Sequence, residues 1–303
     1  MILSVLTAAV TIAFPREGAQ FAYLERCYLI GATDGAETNL ELRVVAPESR
    51  PARSVPVYRT GAWTAVVDVV PGTNVVEVGG CSRTFVVAEK EKGPPKPATV
   101  YTKLAYAADV AQPHPKGRKP SEIVIAVDAG HGGEDTGALS PHGFQEKDAN
   151  LQLAMAVERE LRVRGYQVAM TRTNDVTVGL YDRPKTGHAS KAAAFVSIHH
   201  NAPGHSSDPA QCRYHAVYAW NEIGEKLAKA INGRMAAANP QLPSRGVIHA
   251  NFAVTRNPEI PSCLVEADFV THPDGEVDSW DPARQKAVAA AIAAGIADWV
   301  ACK

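Results

Sequence analysis

The sequence lacks an excess of charge of either sign, and this limits the partners that the protein can use. Its 31 lysine and arginine residues almost balance 32 aspartate and glutamate residues, which gives a formal net charge of -1. Nucleic-acid binding depends on a strong positive field facing the phosphate backbone. A nucleic-acid partner is therefore not expected.

Cysteine is scarce, and its spacing excludes two kinds of site. The five cysteines include no CxxC pair, so neither a thiolate zinc site nor a redox motif of that type is expected. Cys27 and Cys81 lie in the same part of the chain and are either bridged, if the protein is exported, or two buried free thiols. An odd total leaves at least one thiol without a partner within the chain.

Long apolar runs are also missing. The first fourteen residues, MILSVLTAAVTIAF, are mostly apolar but too short to cross a bilayer as a helix. Export signals usually begin with basic residues, whereas the first basic residue here is Arg16. Val10, Ile12 and Phe14 alternate, which favours a first strand. We expect no transmembrane anchor, and the segment leaves export open.

Residues 1–90 have the pattern of an all-β domain. Runs such as Leu40–Val45, Trp63–Val70 and Asn74–Val78 are rich in β-branched and aromatic residues, and turn signals such as Pro71-Gly72 separate them. This spacing predicts a small antiparallel sandwich. The pattern resembles immunoglobulin-like accessory modules of secreted bacterial enzymes.

A proline- and lysine-rich stretch, residues 91–120, predicts a semi-extended linker. Within it, Tyr101–Tyr106 is expected to dock on one of the domains. From residue 121 to residue 303, strand-like and helix-like patterns alternate, which predicts a mixed, largely parallel sheet flanked by helices. Helices are predicted near 147–164, 180–192, 221–237 and 282–300, and strands at Ile123–Val127, Gln167–Thr171, Ala194–Ile198, Tyr214–Tyr218, Phe252–Thr255 and Cys263–Glu266.

Three of these strands run into ionisable residues: His131, His199 and Glu266. Functional groups of open α/β sheets gather at the carboxyl ends of the strands, and Glu146, which opens the first helix, can project to the same edge. Two imidazoles and one carboxylate form a suitable open site for one Zn²⁺ ion and leave the fourth position for water. His131, Glu146 and His199 are therefore the predicted metal ligands.

Glu266 is the predicted catalytic base. It follows the apolar residues Cys263-Leu264-Val265, where a carboxylate without a purpose costs desolvation energy. A carboxylate outside the metal shell can take a proton from the attacking water and pass it to the leaving nitrogen.

Six segments in this half of the chain resemble one known family, the zinc-dependent N-acetylmuramoyl-L-alanine amidases of peptidoglycan. They occur in the family's order: Val127-Asp-Ala-Gly-His131-Gly-Gly133, Glu146-Lys-Asp-Ala-Asn150-Leu151, Phe195-Val-Ser-Ile-His199, Asn201-Ala202, Arg245-Gly-Val247 and Leu264-Val-Glu266-Ala. The resemblance places the family's zinc ligands on His131, Glu146 and His199, and its catalytic glutamate on Glu266. It implies cleavage of the amide that joins N-acetylmuramic acid to L-alanine.

The sequence departs from the family at two places near these motifs. Asp268-Phe-Val-Thr-His-Pro-Asp-Gly275 replaces the usual loop after the catalytic glutamate, and His200 stands where a small residue is usual. His200 is not expected to be a ligand, because adjacent strand residues point to opposite faces. Only 45 positions separate His200 from Arg245 (245 − 200), so we expect neither the inhibitory helix that some members carry there nor a blocked cleft.

Arg245 and Asn201 are the candidate substrate-binding residues. Arg245 would hold a substrate carboxylate or a developing oxyanion, or else form a salt bridge that shapes its loop. Asn201 and Asn150 would orient the groups beside them. The other histidines in this half have no motif support: His142, His188, His205, His215, His249 and His272.

Three functions remain open from the sequence. A peptidoglycan amidase is favoured. A zinc peptidase that cuts stem-peptide bonds would use the same chemistry, but its HExxH signature is missing. A cell-wall-binding protein with an inactive zinc domain fits poorly, because all three ligands and the base are present. Each has peptidoglycan as its partner, which implies a periplasmic or extracellular location.

Overall fold

The computed structural model describes residues 9–91 and 105–301. Its first part is all-β, as predicted, and we call residues 9–91 the β module. The eight strands of the β module are β1 (Val10–Phe14), β2 (Ala19–Phe21), β3 (Arg26–Thr33), β4 (Asn39–Ala46), β5 (Arg53–Pro56), β6 (Ala62–Asp68), β7 (Gly72–Val78) and β8 (Cys81–Val87).

The β module is a sandwich of two sheets, with strand orders β1-β3-β6 and β2-β8-β7-β4-β5. Strand β4 shows why the sequence folds this way, since its buried and exposed residues alternate along most of its length. Leu29 and Trp63 from one sheet pack with Leu42 and Phe85 from the other in a single buried cluster. Cys27 and Cys81 are both free thiols, so of the two alternatives the structure has the unbridged one.

The second part is a mixed α/β domain, which confirms the predicted fold class. Its strands are β9 (Val124–Ala129), β10 (Gln167–Met170), β11 (Ala194–Asn201), β12 (His215–Ala219), β13 (Ser244–His249) and β14 (Ser262–Phe269). Its helices are α1 (Glu146–Val163), α2 (Arg183–Ala189), α3 (Glu222–Ala238), α4 (Pro273–Trp280) and α5 (Pro282–Val300).

The six strands form one sheet in the order β10-β9-β11-β14-β12-β13. All neighbours are parallel except β12 and β14. Apolar residues of α1, α3 and α5 bury one face of the sheet, and α2 with the segment before β14 covers part of the other. Helix α5 begins as predicted, since the Asp281 side chain accepts hydrogen bonds from the backbone of Ala283 and Arg284.

One prediction about local structure was wrong, and one helix was not predicted. Phe252–Thr255 forms a turn rather than a strand, and the edge strand of the sheet is β13 instead. The helix that was not predicted is α4, which begins within the segment that replaces the family's usual loop after Glu266. Its N-cap is His272, whose side chain accepts hydrogen bonds from the backbone of Asp274 and Gly275. Histidine is not among the usual capping residues. Gly275 lies in the first turn, and glycine is unfavourable in helices, so the sequence pattern did not predict this helix.

The described part of the linker packs on the α/β domain. Ala105 pairs with Asn221, and the backbone N–H groups of Ala107 and Ala108 donate to Glu222 Oε1 over 2.6 and 2.7 Å. Residues 101–104 of the predicted docking segment lie outside the described residues, and the side chain of Tyr106 is exposed.

Between residues 200 and 245 the chain forms β12, α3 and one short 3-10 turn, Pro209–Gln211, and no other helix. The apolar face of α3 packs in the core of the α/β domain, so α3 is part of the fold. This agrees with the expectation that this segment holds no added inhibitory helix. Among the described residues, no helix combines the length and the apolar character needed to span a membrane.

Candidate metal centre

His131, Glu146 and His199 meet at the carboxyl edge of the sheet, although the chain separates them widely. His131 lies two residues beyond β9, His199 lies in the central strand β11, and Glu146 is the first residue of α1. His131 has a backbone φ of 60°, a conformation that non-glycine residues adopt rarely and mostly at functional sites. The loop geometry turns its side chain back toward the strand ends.

One oxygen of Glu146 joins the two imidazoles. Glu146 Oε1 lies 3.2 Å from His131 Nε2 and 3.1 Å from His199 Nδ1. The two rings are nearly perpendicular, at 75°, with centroids 4.8 Å apart. The three donor atoms all lie within 4.8 Å of one another, so this group of residues, the metal cluster, could hold a metal ion.

Two glycines leave the space that the cluster needs. A Cβ atom at Gly130 would lie 2.2 Å from His199 Nε2. A Cβ atom at Gly137 would lie 2.6 Å from Glu146 Oε2, and Gly137 also has a φ of +62°. Any larger residue at either position would push a cluster side chain out of place.

The Glu146 carboxylate is buried and fixed from several directions. Glu146 Oε2 accepts from the backbone N–H of Ala138 over 2.9 Å, and Oε1 accepts from Asn150 Nδ2 over 3.0 Å. Burial alone would raise the pKa of Glu146, but hydrogen bonds from His131 and His199 outweigh it and hold the pKa well below its usual value. Glu146 is therefore a permanent negative charge at the centre of the cluster.

That charge acts on His131, which is also held by Asp135. Burial lowers the pKa of His131, but Glu146 and Asp135 raise it further in the opposite direction, to about 9. Asp135 Oδ2 lies 2.8 Å from His131 Nδ1, which directs Nε2 toward Glu146. The negative charges of Glu146 and Asp135 that raise this pKa would also favour a metal cation at the cluster.

Glu266 lies beside the cluster with an unpartnered carboxyl oxygen. It faces His199 in register across the parallel pair β11 and β14. Its Oε2 is buried and has no hydrogen-bond partner among the described residues. Burial, and then the negative charge of Glu146, raise the pKa of Glu266 well above its usual value. The metal cluster and the buried Glu266 carboxyl group thus lie at adjacent positions of the sheet.

His200 lies behind the cluster rather than in it. Its side chain is buried, with only 4% of the residue exposed. Its Nδ1 lies 2.8 Å from Asn150 Oδ1, and burial lowers its pKa to about 4. A neutral His200 that donates from Nδ1 fixes the Asn150 amide so that its NH₂ group points at Glu146.

Two buried arginines that sequence reasoning missed hold the loop of His131. Arg183 donates to the carbonyl of His131 over 2.7 Å and pairs with Asp128 over 2.9 Å. Arg172 donates to the carbonyl of Gly130 over 2.9 Å. Both guanidinium groups are buried against carbonyl groups of this loop, and only the tertiary structure reveals these contacts. A signal in the sequence was their position at the edges of elements, Arg172 just after β10 and Arg183 at the start of α2.

The two candidate substrate-binding residues make other contacts. The Arg245 guanidinium lies over the Tyr214 ring, 4.3 Å from its centroid, and it forms no salt bridge with any other described residue. Asn201 Oδ1 accepts from the backbone N–H of Ala202 over 2.8 Å. The role of both residues in substrate binding stays a prediction.

Comparison with known proteins agrees with this geometry. The N-acetylmuramoyl-L-alanine amidase family matches residues 125–298, more than half of the chain. This chain belongs to that family. The match covers β9 to α5 and contains every residue of the metal cluster together with Glu266.

Individual relatives fall in the same family. The amidase AmiC of Neisseria meningitidis is 32% identical over 239 residues, which are 64% of this chain and 57% of that protein. AmiA of Salmonella typhimurium is 31% identical over 229 residues, 60% of this chain and 78% of the relative. The chain thus spans little more than half of the meningococcal protein.

Solved structures match the α/β domain. The catalytic domain of the amidase CwlV from Bacillus (Paenibacillus) polymyxa has a TM-score of 0.56 at 32% identity, over 60% of this chain and 99% of that domain. The amidase AmiC2 of Nostoc punctiforme has a TM-score of 0.56 at 31% identity, over 59% of this chain and 97% of its own. Each of these two solved chains thus corresponds to only part of this chain.

Proposed function

We propose that this protein hydrolyses the amide bond between N-acetylmuramic acid and L-alanine in peptidoglycan and uses one zinc ion held by His131, Glu146 and His199. The observation that carries the proposal is the convergence of these three donors on one point beside the buried Glu266 carboxyl group. Membership of the amidase family supports the choice of bond.

The donor set fits zinc. Two imidazole nitrogens and one carboxylate oxygen are ligands that zinc accepts, and three protein ligands are typical of a catalytic rather than a structural site. Glu146 supplies the negative charge, and Asp135 orients His131 from the far side of its ring. When bound, zinc would make a water molecule more acidic and polarise the amide carbonyl.

Glu266 would move the proton. Its carboxylate would take a proton from the attacking water and deliver it to the leaving nitrogen of L-alanine. Its position suits this task, because Glu266 faces His199 in register across the adjacent strands β11 and β14. The buried Glu266 Oε2 has no hydrogen-bond partner among the described residues, and such an atom lowers the stability of the fold. Its presence despite that cost favours a functional role over an inactive domain.

We also propose the division of the chain into an all-β accessory domain at 1–90, a linker at 91–120 and a catalytic domain at 121–303. The described strands of the β module end at Val87, and β9 begins at Val124. A peptidoglycan substrate places the protein outside the cytoplasmic membrane, in the periplasm or the extracellular space.

Product analysis tests this function against the zinc-peptidase alternative. Purified peptidoglycan is digested with the full chain, and the products are identified by mass spectrometry. Release of intact stem peptides that begin with L-alanine supports the amidase. Shortened stems that remain attached to sugar support the peptidase, and no release by a zinc-loaded sample contradicts both.

A further inference from the structure

The β module is joined to the loop that leaves His199, the segment 202–214 between β11 and β12. The His205 ring of this loop lies among three aromatic rings of the module, with centroids 5.2 Å from Phe21, 5.7 Å from Phe14 and 6.1 Å from Tyr28. The backbone N–H of Tyr28 donates to the carbonyl of His205 over 2.7 Å. Backbone and side-chain contacts together fix this loop to the module.

Two further hydrogen bonds extend the junction along the same loop. Ser206 Oγ donates to the carbonyl of Arg26 over 3.2 Å, and Thr64 Oγ1 donates to Asp208 Oδ1 over 3.0 Å. The loop is therefore held at three successive points, and the module does not hang from the linker alone. It occupies a defined place next to the carboxyl edge of the sheet.

On that side the module presents Arg16, in the turn between β1 and β2. Arg16 Nη2 donates to Thr136 Oγ1 over 3.0 Å. Thr136 stands between Asp135, which holds His131, and Gly137, which packs against Glu146. A cation of the module thus lies one residue away from two contacts of the metal cluster.

The Arg16 guanidinium is exposed and underused. Among the described residues it forms no ion pair, and Thr136 is the only hydrogen-bond partner of its side chain. A guanidinium has five N–H donors in a planar fork that matches a carboxylate. One neutral hydroxyl leaves most of those donors free for a ligand.

A cleft also lies between the module and the α/β domain. It is lined by Arg59, Asp34 and Gly61 of the module and by His142, which precedes α1. Asp34 already accepts from the backbone N–H of Ala9 over 2.7 Å. His142 belongs to the segment between β9 and α1 that also contains His131, so the cleft borders the same segment as one of the three cluster residues.

We propose that the β module forms one wall of the substrate site and that Arg16 binds a carboxylate on the peptide side of the substrate. This rests on the proposed function. In peptidoglycan the lactyl carboxyl group of N-acetylmuramic acid is consumed in the scissile amide, so a nearby anionic group belongs to the stem peptide. L-Alanine has no side-chain carboxylate, and the first one available is on the second stem residue.

The test compares two N-acetylmuramoyl tripeptides with amidated C-termini. One has a free α-carboxylate on its second residue, and the other has a carboxamide there. For the carboxylate probe, Arg16→Ala is expected to raise KM by up to about fivefold with kcat unchanged, as an exposed ion pair allows. Arg16→Glu is expected to raise it by on the order of tenfold, since charge reversal adds repulsion. KM for the carboxamide probe is expected to stay the same.

Arg43→Ala is the matched control, because Arg43 is also an exposed arginine of the module but pairs with Glu41 on β4. It is expected to change KM for neither probe. Equal effects of Arg16→Ala on both probes, or no effect, would overturn the proposal. A loss of melting temperature with equal losses on both probes would assign Arg16 to docking alone.

The same pair of probes separates this inference from the function on which it rests. If the wild-type chain releases peptide from neither probe, the proposed function fails. If it cleaves both but Arg16 variants do not discriminate between them, only the role of Arg16 fails. The second readout is the dissociation constant of each probe for the Glu266→Gln chain. Adding Arg16→Ala to that chain is expected to weaken binding of the carboxylate probe only.

Discussion

His199 and Glu266 face each other in register on the adjacent parallel strands β11 and β14. Side chains at such positions project from the same face of the sheet. The sheet itself therefore places a predicted metal ligand directly beside a predicted base. Substitutions can therefore test separately whether His199 binds the metal and whether Glu266 transfers the proton.

Glu266→Gln is expected to abolish turnover while the metal stays bound. Glutamine keeps the shape of the side chain but cannot accept the proton, and loss of a general base typically costs 10²- to 10⁴-fold. Peptide release and metal content by atomic spectroscopy are measured on the same sample. Full activity of this variant would exclude Glu266 as the base.

His131→Ala is expected to lose both the metal and the activity, because the cluster keeps only two of its three donors. Chelator treatment of the wild-type chain is expected to have the same effect, reversed by added zinc. His188→Ala, a partly exposed histidine outside the cluster, is the control and is expected to retain both. Undiminished hydrolysis after complete metal removal would contradict the mechanism.

His200→Ala is expected to weaken metal binding without removing a ligand. His200 holds Asn150, and Asn150 holds Glu146 Oε1. Loss of such outer hydrogen bonds typically costs about 10- to 100-fold in metal affinity. Competition with a chromophoric chelator measures the affinity, and an unchanged value would show that Asn150 is positioned without His200.

Gly137→Ala is expected to damage the cluster more than its backbone conformation alone explains. Gly18 has a similar φ, +70° against +62°, but nothing lies within 4 Å of a Cβ atom there. Gly18→Ala therefore reports the conformational cost alone, roughly 1–2 kcal/mol. Metal affinity is expected to fall in the Gly137 variant only. Equal affinity in the two variants would mean that the loop yields around the added methyl group.

Acid is expected to weaken the junction between the β module and the α/β domain. Burial lowers the pKa of His205 below its usual 6.5, so the folded state resists protonation. The neutral His205 ring therefore contributes fully to the free energy of unfolding above about pH 6.5. This contribution is lost as the pH falls through the lowered pKa. Melting temperatures of the wild-type chain and His205→Phe are compared from pH 8 to pH 5. The variant is expected to lose less stability on acidification, and parallel curves would exclude His205.

Local patterns were sufficient for most elements. The apolar stripe of α1 and the Asp281-Pro282 start of α5 are short-range signals, and β-branched residues predicted the run Leu40–Val45, which lies within β4. The errors have local causes as well. The apolar residues of Phe252–Thr255 include Val254, which packs beneath the sheet as part of a turn, and a short apolar run does not distinguish these uses. Helix α4 has an unusual histidine cap.

The sequence by itself determined the fold class and the identity of the residues that form the candidate site, because ionisable residues at strand ends and six ordered motifs are local information. Only the tertiary structure decided what surrounds them. The burial of Arg172, Arg183 and His200, the orphaned oxygen of Glu266 and the reach of Arg16 to Thr136 all depend on contacts between distant parts of the chain. Burial and charge at a site are sums over neighbours in space, and no spacing along the chain encodes them.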